Sequence, residues 1–421
     1  MISSGRRRGR LVALAAAGAA IAAAAGVLGA SAARGATTAS HAATASDATT
    51  ASHGTTASDV TTASDVTRAS AAAAKAAVPW KSVGPGWVLD TYSTRTRTKT
   101  APATLYLVSP AGTKYPLYTW KASATQAPLL LAWAGNKTEA LFQLFSPQNA
   151  ISGYGELNLL TGKMTRVAFA SPASSTLGYT LPTGQQLLGS TASGNTATVA
   201  RYTQAGALVK TLVTESGSFT AGQPLTARYS PSGAELAVTA PNGLLLVSNA
   251  GGVLRKLPVP GIDTRTGCTP VRWWSANTVL ASCLPANGDT QRLWLVPVSG
   301  NRPSALTPVR NPAKAPNDYG DIDAWRLPSD LYLQSLGACG TLELNKQAAN
   351  GSITRVTVPG MADSPVVVTA AGARLLVEQL GCDGAGGQLA WYNPAAKAEQ
   401  WLFKSGAGAA VAYNDPQNAA S

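Results

Sequence analysis

Residues 225–257 read LTARYSPSGAELAVTAPNGLLLVSNAGGVLRKL, which is four short apolar or alternating runs separated by three groups of turn residues. The turns lie at 230–233, 241–243 and 249–252, and each supplies the Gly, Pro, Asn or Ser that a tight reversal needs. Each run has the length of a strand, and no helical period fits across the breaks. The stretch therefore predicts a four-stranded antiparallel meander.

The rest of the chain repeats this unit. The clearest marker is the third turn of each unit, where a glycine or its substitute recurs every 44 to 51 residues, at Gly112, Gly162, Gly206, Gly252, Gly300, Gly351 and finally Ala396. A lone meander cannot bury both of its faces, and four-stranded units that recur about every 40 to 50 residues stack radially into a β-propeller. The sequence predicts an all-β fold, a seven-bladed β-propeller of four-stranded antiparallel blades.

The two ends of the repeat are unequal in a way that predicts how the ring closes. Blade 1 has only three runs, two before its marker glycine and one after it, whereas an extra run at 409–413 follows the four runs of blade 7. We expect this last run to become the innermost strand of blade 1. The ring would then close by joining the two ends of the propeller, and no open sheet edge would remain there.

Blade 4 also resembles a known type of repeat. Its YSPSGAELAV turn followed by GLLLVSNAGG is similar to the repeats of TolB-type (WD40-like) propellers, in which an S-P-D-G-type turn joins the two inner strands and a D-x-x-G-type turn ends the third strand. Here Ser232 stands where that pattern prefers Asp, and Asn249 begins the second turn. The resemblance implies an exported bacterial propeller and specifies no ligand.

The N-terminal region has the composition of an export signal followed by a stalk. Arg6, Arg7, Arg8 and Arg10 precede an uncharged run at 11–33, and Ala30, Ser31 and Ala32 offer a cleavage site, so residues 1–35 are predicted to be an export signal. The alternative is that this segment is not cleaved and remains as a membrane anchor. If it is cleaved, we expect no stable membrane insertion. Residues 36–77 repeat Thr/Ala/Ser-rich hexamers and predict a disordered stalk. The propeller then occupies residues 78–421 of a secreted or cell-surface, extracytoplasmic protein.

The distribution of histidine excludes several classes of enzyme. Both histidines, His41 and His53, lie in the predicted stalk. The propeller region therefore lacks the residue needed for Ser-His-Asp or Cys-His catalysis and for histidine zinc sites. We expect the protein not to be an enzyme.

All four cysteines lie in the last three predicted blades, and an exported chain favours disulfides. Cys268 precedes the first run of blade 5 and Cys283 ends the second, so antiparallel pairing places them side by side. Cys339 and Cys382 occupy equivalent places in successive blades. We predict the disulfides Cys268–Cys283 and Cys339–Cys382.

The chain is basic, with a formal net charge of +13. Residues 1–79 carry seven Lys and Arg and three Asp and Glu, so the propeller keeps +9. Its basic residues are spread singly rather than interleaved with aromatics, which argues against nucleic acid and favours anionic wall polymers and lipid headgroups. We expect the partner to be an envelope protein or polysaccharide. Arg95 and Arg97, in the loop TRTRTKT, are candidate anion ligands.

The densest acidic group is Asp318, Asp321 and Asp323 in NDYGDIDAW, followed by Trp325. It leads into the innermost strand of blade 6, and such loops surround the channel mouth. Three carboxylates there suit Ca²⁺ or the acid and nucleophile of a glycosidase, although the spacing matches no calcium loop. We expect no cofactor, with Ca²⁺ as the alternative, and take these residues as candidate ligand-binding positions.

Two functional hypotheses follow. The first is a monomeric, non-catalytic, exported propeller that binds a protein or polymer of the cell envelope. The second is a propeller glycoside hydrolase or lyase that acts on extracellular carbohydrate through the aspartates near blade 6.

Overall fold

The structure is a computed structural model that describes residues 78–93, 101–121, 128–146, 150–169, 175–217, 223–288, 290–310, 320–337, 341–361, 365–380, 386–404 and 411–413. The predicted export signal and stalk, residues 1–77, lie outside this part. Within it, a single 3-10 turn at Trp80–Ser82 precedes an all-β domain. No helix in the described ranges is long and apolar enough to cross a membrane.

Seven sheets of four antiparallel strands form the domain. The strands of blades 1 to 4 are β1 (Val88–Ser93), β2 (Ala103–Val108), β3 (Lys114–Trp120), β4 (Leu129–Trp133), β5 (Glu139–Phe145), β6 (Ile151–Asn158), β7 (Met164–Val167), β8 (Ser175–Tyr179), β9 (Leu187–Ser193), β10 (Thr196–Tyr202), β11 (Leu208–Ser216), β12 (Ala227–Tyr229), β13 (Glu235–Ala240), β14 (Gly243–Ser248) and β15 (Val253–Pro258).

Blades 5 to 7 follow the same order, innermost strand first, and a last strand returns to blade 1. They contain β16 (Cys268–Ser275), β17 (Thr278–Cys283), β18 (Arg292–Pro297), β19 (Ser304–Ala305), β20 (Asp321–Arg326), β21 (Leu331–Leu336), β22 (Leu342–Gln347), β23 (Ile353–Arg355), β24 (Pro365–Ala371), β25 (Arg374–Leu380), β26 (Gly386–Asn393), β27 (Ala398–Phe403) and β28 (Val411–Tyr413).

The predicted closure of the ring is confirmed. β28 pairs antiparallel with β1, and Asp90 lies opposite Val411, so blade 1 has the order β28-β1-β2-β3. The most C-terminal described strand is thus the innermost strand of the most N-terminal blade. Both ends of the domain are held in one sheet.

The predicted third turns are confirmed in six blades and shifted by one residue in the seventh. Gly112, Gly162, Gly206, Gly252, Gly300 and Gly351 all have positive φ angles between 72° and 93°. In blade 7 the left-handed residue is Lys397, with φ 50°, rather than Ala396. The backbone there adopts the same turn without glycine, because the turn geometry is set by the flanking strands.

The faces of the blades pack on their neighbours through alternating residues of the second strands. On β25, Leu375 and Val377 pack with Trp325 and Tyr332 of blade 6, whereas Leu376 packs with Val88 of blade 1. Successive side chains of a strand point to opposite faces, so each blade contributes one apolar row to each neighbour. The hydrophobic core is therefore a ring of seven interfaces rather than one central cluster.

The predicted disulfide between Cys268 and Cys283 is confirmed. The two residues lie opposite each other on β16 and β17, and a disulfide joins them. Cys268 is the first residue of β16 rather than preceding it. Cys339 and Cys382 lie outside the described residues, so that pairing stays a prediction.

Removing this bridge is expected to lower the free energy of unfolding by about 3 kcal/mol, because a closed loop of this length restricts the unfolded chain. The double variant Cys268→Ala, Cys283→Ala tests this by denaturant unfolding against the oxidised protein. Ser282→Ala, a control in the same strand, should change stability by less. An unchanged midpoint in the double variant would show that the bridge does not stabilise the fold.

Candidate binding site on the channel wall

The innermost strands of the seven blades surround the channel, and their charged residues are confined to three neighbouring blades. The strands β28, β4, β8 and β24 read VAY, LLLAW, STLGY and PVVVTAA and carry no charge. In contrast, β12, β16 and β20 of blades 4, 5 and 6 carry Arg228, Arg272, Asp321, Asp323 and Arg326. We call these five residues the charged sector. Its three arginines exceed its two aspartates.

A recurrent irregularity of the innermost strands positions two members of this sector. The pairing of the innermost with the second strand slips by one residue in blades 2, 5, 6 and 7. The first residue after this slip is Ala132, Arg272, Asp323 or Thr369, and blade 5 has a second slip before Ser275. Such bulges bend a strand and redirect a side chain. Arg272 and Asp323 therefore lie at equivalent levels of adjacent blades.

Arg272 and Asp323 form an ion pair across the boundary between blades 5 and 6, and Arg272 Nη2 donates to Asp323 Oδ2. Their side chains are 22% and 20% exposed, so the pair is partly accessible to solvent. The guanidinium carbon of Arg272 lies 4.4 Å from the ring centroid of Trp325, which is a cation–π contact. Arg272 is thus fixed both by a carboxylate and by an aromatic face.

Reciprocal bonds between blades 4 and 5 place Arg228 beside this pair. Arg228 Nε donates to the carbonyl of Val271 at 3.1 Å, and the indole N–H of Trp273 donates to the carbonyl of Arg228 at 3.1 Å. Burial raises the pKa of the Asp323 carboxyl, and the charges of Arg272 and Arg228 partly offset this effect. Two guanidinium charges therefore act on the Asp323 carboxylate.

Asp321 lies only two residues from Asp323 but belongs to a different network. It is fully buried and accepts bonds from Arg310, with Nη2 at 2.9 Å from Oδ1 and Nε at 3.2 Å from Oδ2. Ser335 Oγ donates to Asp321 Oδ1 at 2.7 Å, and Asn345 Nδ2 donates to Ser335 Oγ at 2.8 Å. Fixed donors thus occupy both carboxylate oxygens, and the group anchors the start of β20.

Comparison with known proteins places the chain by fold alone. No known family matches the sequence, and no curated protein matches it. The likeness is to β-propellers. The propeller domain of the Trilobed protease from Pyrococcus furiosus is 10% identical, with a TM-score of 0.47, covering 76% of this chain and 95% of that domain.

Two further solved structures give the same level of similarity. TolB from Acinetobacter baumannii is 12% identical, with a TM-score of 0.42, over 78% of this chain and 66% of its own. Apo AztD from Citrobacter koseri is 13% identical, with a TM-score of 0.43, over 77% of this chain and 97% of its own. At these identities the similarity concerns the propeller architecture and specifies no ligand or activity.

The residues predicted from sequence are only partly brought together. Asp323 belongs to the charged sector and Trp325 packs against it, whereas Asp321, although on the same strand, is fully buried and held by Arg310. Trp325 is 4% exposed and covered by Arg272, so its ring is not an open stacking platform. Arg95, Arg97 and Asp318 lie outside the described residues. Among the residues that are described, no group of three or more His, Cys, Asp and Glu side chains is arranged to hold a metal ion.

The roles of Arg228 and Arg272 were not predicted from the sequence. A signal for them exists in the repeat, since each arginine directly precedes the aromatic residue near the end of an innermost strand, in ARY and in VRWW. Aligning the blades on that aromatic residue places both arginines at the channel. Whether they meet a carboxylate depends on the neighbouring blade, which the repeat alone does not reveal.

Proposed function

We propose that the protein is a non-catalytic, exported β-propeller that binds an anionic protein or polysaccharide of the cell envelope through the charged sector. The observation that carries this proposal is the partly exposed Arg272, held beside Arg228 on a wall whose other innermost strands are uncharged. An arginine that is already oriented by an aromatic ring loses little freedom when it binds a carboxylate, sulfate or phosphate. The basic composition of the chain favours the same class of partner.

The ion pairs of Asp321 and Asp323, the two members of the acidic group that the structure describes, favour binding over catalysis. A glycosidase needs two carboxyl groups that flank the scissile bond, one as acid and one as nucleophile or base. Asp321 is fully buried and held by Arg310, and Asp323 is held by Arg272. Both are therefore engaged in ion pairs. Calcium binding at this place would also have to displace these guanidinium groups.

The second candidate, a carbohydrate hydrolase or lyase, is favoured by one observation. Asp323 is partly exposed at the channel and burial raises its pKa, which is the property of a general acid. In this alternative Asp323 would protonate the leaving oxygen, and a further carboxyl group would be required within reach.

The proposed setting is extracytoplasmic, with a monomeric propeller held by the N-terminal region. The N-terminal arginines and the uncharged run that follows support export, and the confirmed disulfide fits an oxidising compartment. The partner would then be a component of the wall or outer surface rather than nucleic acid.

The experiment that tests this proposal is capture from the envelope fraction of the producing organism, with proteins and polysaccharides both analysed, at low and high salt. The variants are Arg272→Met, which keeps the stem of the side chain, and Asp323→Asn, which removes the competing carboxylate. Arg265→Met is the matched control, because Arg265 is exposed and pairs with Asp263 outside the innermost strands.

We expect Arg272→Met to reduce capture of an anionic component at least tenfold, as loss of a charge-assisted contact of about 1.5–3 kcal/mol predicts. Asp323→Asn should retain or strengthen capture, since it frees the guanidinium. The enzyme alternative predicts the opposite for Asp323→Asn, namely loss of turnover of a captured glycan. Equal capture by all variants would contradict the proposed site.

A further inference from the structure

Large apolar side chains that remain exposed are concentrated on one part of the propeller rim. In the described part of the chain they are Leu160, Leu208, Val209, Val253, Leu254 and Val309, with 42% to 62% of each residue exposed. Leu160 lies in the turn between the third and fourth strands of blade 2, and the next four begin the fourth strands of blades 3 and 4. Val309 lies elsewhere, between β19 and β20. We call the five residues of blades 2 to 4 the apolar arc.

Backbone contacts join the outer parts of blades 2, 3 and 4. The turn before β11 packs on the end of β7, where Ala168 N–H donates to the carbonyl of Ala205 at 3.1 Å. The turn before β15 packs on β11, where Gly252 N–H donates to the carbonyl of Leu212 at 2.9 Å. The second contact brings the start of β15, with Val253 and Leu254, beside the strand that carries Leu208 and Val209, whereas Leu160 lies at the other end of β7 from Ala168. Exposed apolar side chains grouped on neighbouring blades mark an interaction site.

The charges on the same segments are nearly all positive. The turns and outer strands of blades 2 to 4, residues 159–167, 203–216 and 248–258, contain one acidic residue, Glu215, and five basic residues, Lys163, Arg166, Lys210, Arg255 and Lys256. All five basic residues are exposed. Arg166 and Arg255 donate to the neutral carbonyls of Ser152 and Ser299, and these bonds leave their charge in place.

This combination identifies the chemistry of the occupant. Leucine and valine beside lysine and arginine suit a surface with an apolar interior and an anionic outer layer, because long basic side chains extend toward phosphate while apolar ones insert. A second copy of the same arc would bring like charges together. A strand added to β11 would compete with the turn that already bonds at Leu212.

We propose that the apolar arc docks the propeller on an anionic lipid bilayer, with Leu208 and Leu254 inserted between headgroups and Lys210 and Lys256 against phosphate. The arc belongs to the outer rim of blades 2 to 4, whereas the charged sector belongs to the innermost strands of blades 4 to 6. Docking through the arc therefore does not require the charged sector.

The test is flotation of the full chain with vesicles of phosphatidylcholine alone and of phosphatidylcholine with phosphatidylglycerol at about 3:1. The readout is the additional partitioning that phosphatidylglycerol causes, so that any contribution of residues 1–77 is common to all variants. One variant is Leu208→Ser, Leu254→Ser and a second is Lys210→Ser, Lys256→Ser. Val309→Ser is the control, an equally exposed apolar residue outside the arc.

We expect the leucine variant to lower partitioning at least tenfold, as burial of two leucines predicts, and the lysine variant to lower it about tenfold or more and to remove most of its salt dependence. Val309→Ser and Arg272→Met should partition like the unchanged protein. Absence of any phosphatidylglycerol dependence, or equal partitioning of the arc variants and the control, would overturn the proposal. The proposal would also be overturned if the arc variants bound vesicles like the unchanged protein but no longer captured an envelope protein. The occupant of the apolar arc would then be that protein.

Discussion

A protein that lacks residues 410–421 is expected to lose the cooperative unfolding transition of the entire propeller. The truncation removes β28, whose pairing with β1 completes blade 1 and joins it to the last part of the chain. Without this strand, β1 presents an unpaired edge to the channel, and the chain that leaves blade 7 no longer returns to pair with blade 1. We expect aggregation or a fall in Tm of more than about 10 °C, as loss of several kcal/mol in a domain of this size predicts.

The matched control ends at Tyr413 and so keeps β28 while removing the residues that follow it. Thermal unfolding followed by circular dichroism compares the two. The account predicts a normal transition for the control and a broad or absent one for the longer truncation. Identical transitions would contradict the closure of the ring by β28.

Two buried carboxyl groups at the interface between blades 7 and 1 give the second large effect. Val88 and Tyr92 of β1 pack against blade 7, the first in a cluster with Leu376 and the second stacked on Phe403 at 4.5 Å. Asp90 lies between them on the same face of β1, and Glu378 follows Leu376 on the same face of β25. The two acidic side chains therefore point into one interface.

This interface holds the carboxyl groups away from water. Asp90 is 2% and Glu378 3% exposed, and Asp90 Oδ1 has no hydrogen-bond partner among the described atoms. Burial raises the pKa of both groups well above the ordinary range; the charge of Asp90 raises that of Glu378 further, and Lys114 partly offsets the effect on Asp90. At low pH both carboxyl groups are neutral in the folded and the unfolded state, so their burial costs little free energy. At higher pH the unfolded state releases both protons, whereas the folded state must either keep them or bury negative charge.

The sign of the pH dependence follows from the raised pKa values. In the unfolded chain carboxyl groups titrate near pH 4, so above that pH the folded state binds more protons than the unfolded state. The free energy of unfolding is therefore expected to fall as pH rises from about 4 through the raised pKa values. The loss is about 1.4 kcal/mol for every unit by which each pKa is raised.

The variants Asp90→Asn and Glu378→Gln should consequently be more stable than the unchanged protein at neutral pH. The double variant should lose most of the dependence between about pH 4 and 8, measured by urea unfolding at a series of pH values. Glu215→Gln, a carboxyl group on the outer strand β11, is the control and should change little. A double variant that is less stable at pH 7.5 than the unchanged protein would contradict this assignment.

The fold was predictable because its signals are local. Gly, Pro, Asn and Ser mark the turns of each blade in the sequence, and all six third-turn glycines adopt positive φ angles. Lys397 shows the limit of this reasoning, since the flanking strands impose the left-handed turn on a residue that does not favour it. The closure by β28 was also predictable, because the first blade lacked one strand and the chain had one extra strand at its other end. Pairing that strand with the first blade completes every blade.

The candidate site was less predictable because it depends on pairing between blades. The sequence predicted Asp321 as a ligand-binding residue, yet its carboxylate accepts a hydrogen bond from Arg310. Arg310 follows the last strand of blade 5, whereas Asp321 begins the first strand of blade 6. The shift between Asp321 and Asp323 is a register irregularity, which periodicity does not reveal. The positions of Arg228 and Arg272 depend on contacts with the neighbouring blade, and the sequence of a single repeat does not show those contacts.

We propose that Arg272 and its neighbours on the channel wall form the binding site for an anionic envelope component. The most direct measurement uses the component that the unchanged protein captures. Its binding affinity is measured by titration for the unchanged protein and for the variants Arg272→Met, Asp323→Asn and Arg265→Met, each over a range of salt concentrations. The account predicts at least tenfold weaker binding and a smaller salt dependence for Arg272→Met, equal or tighter binding for Asp323→Asn, and no change for Arg265→Met. Equal affinity and equal salt dependence for Arg272→Met and the unchanged protein would contradict it.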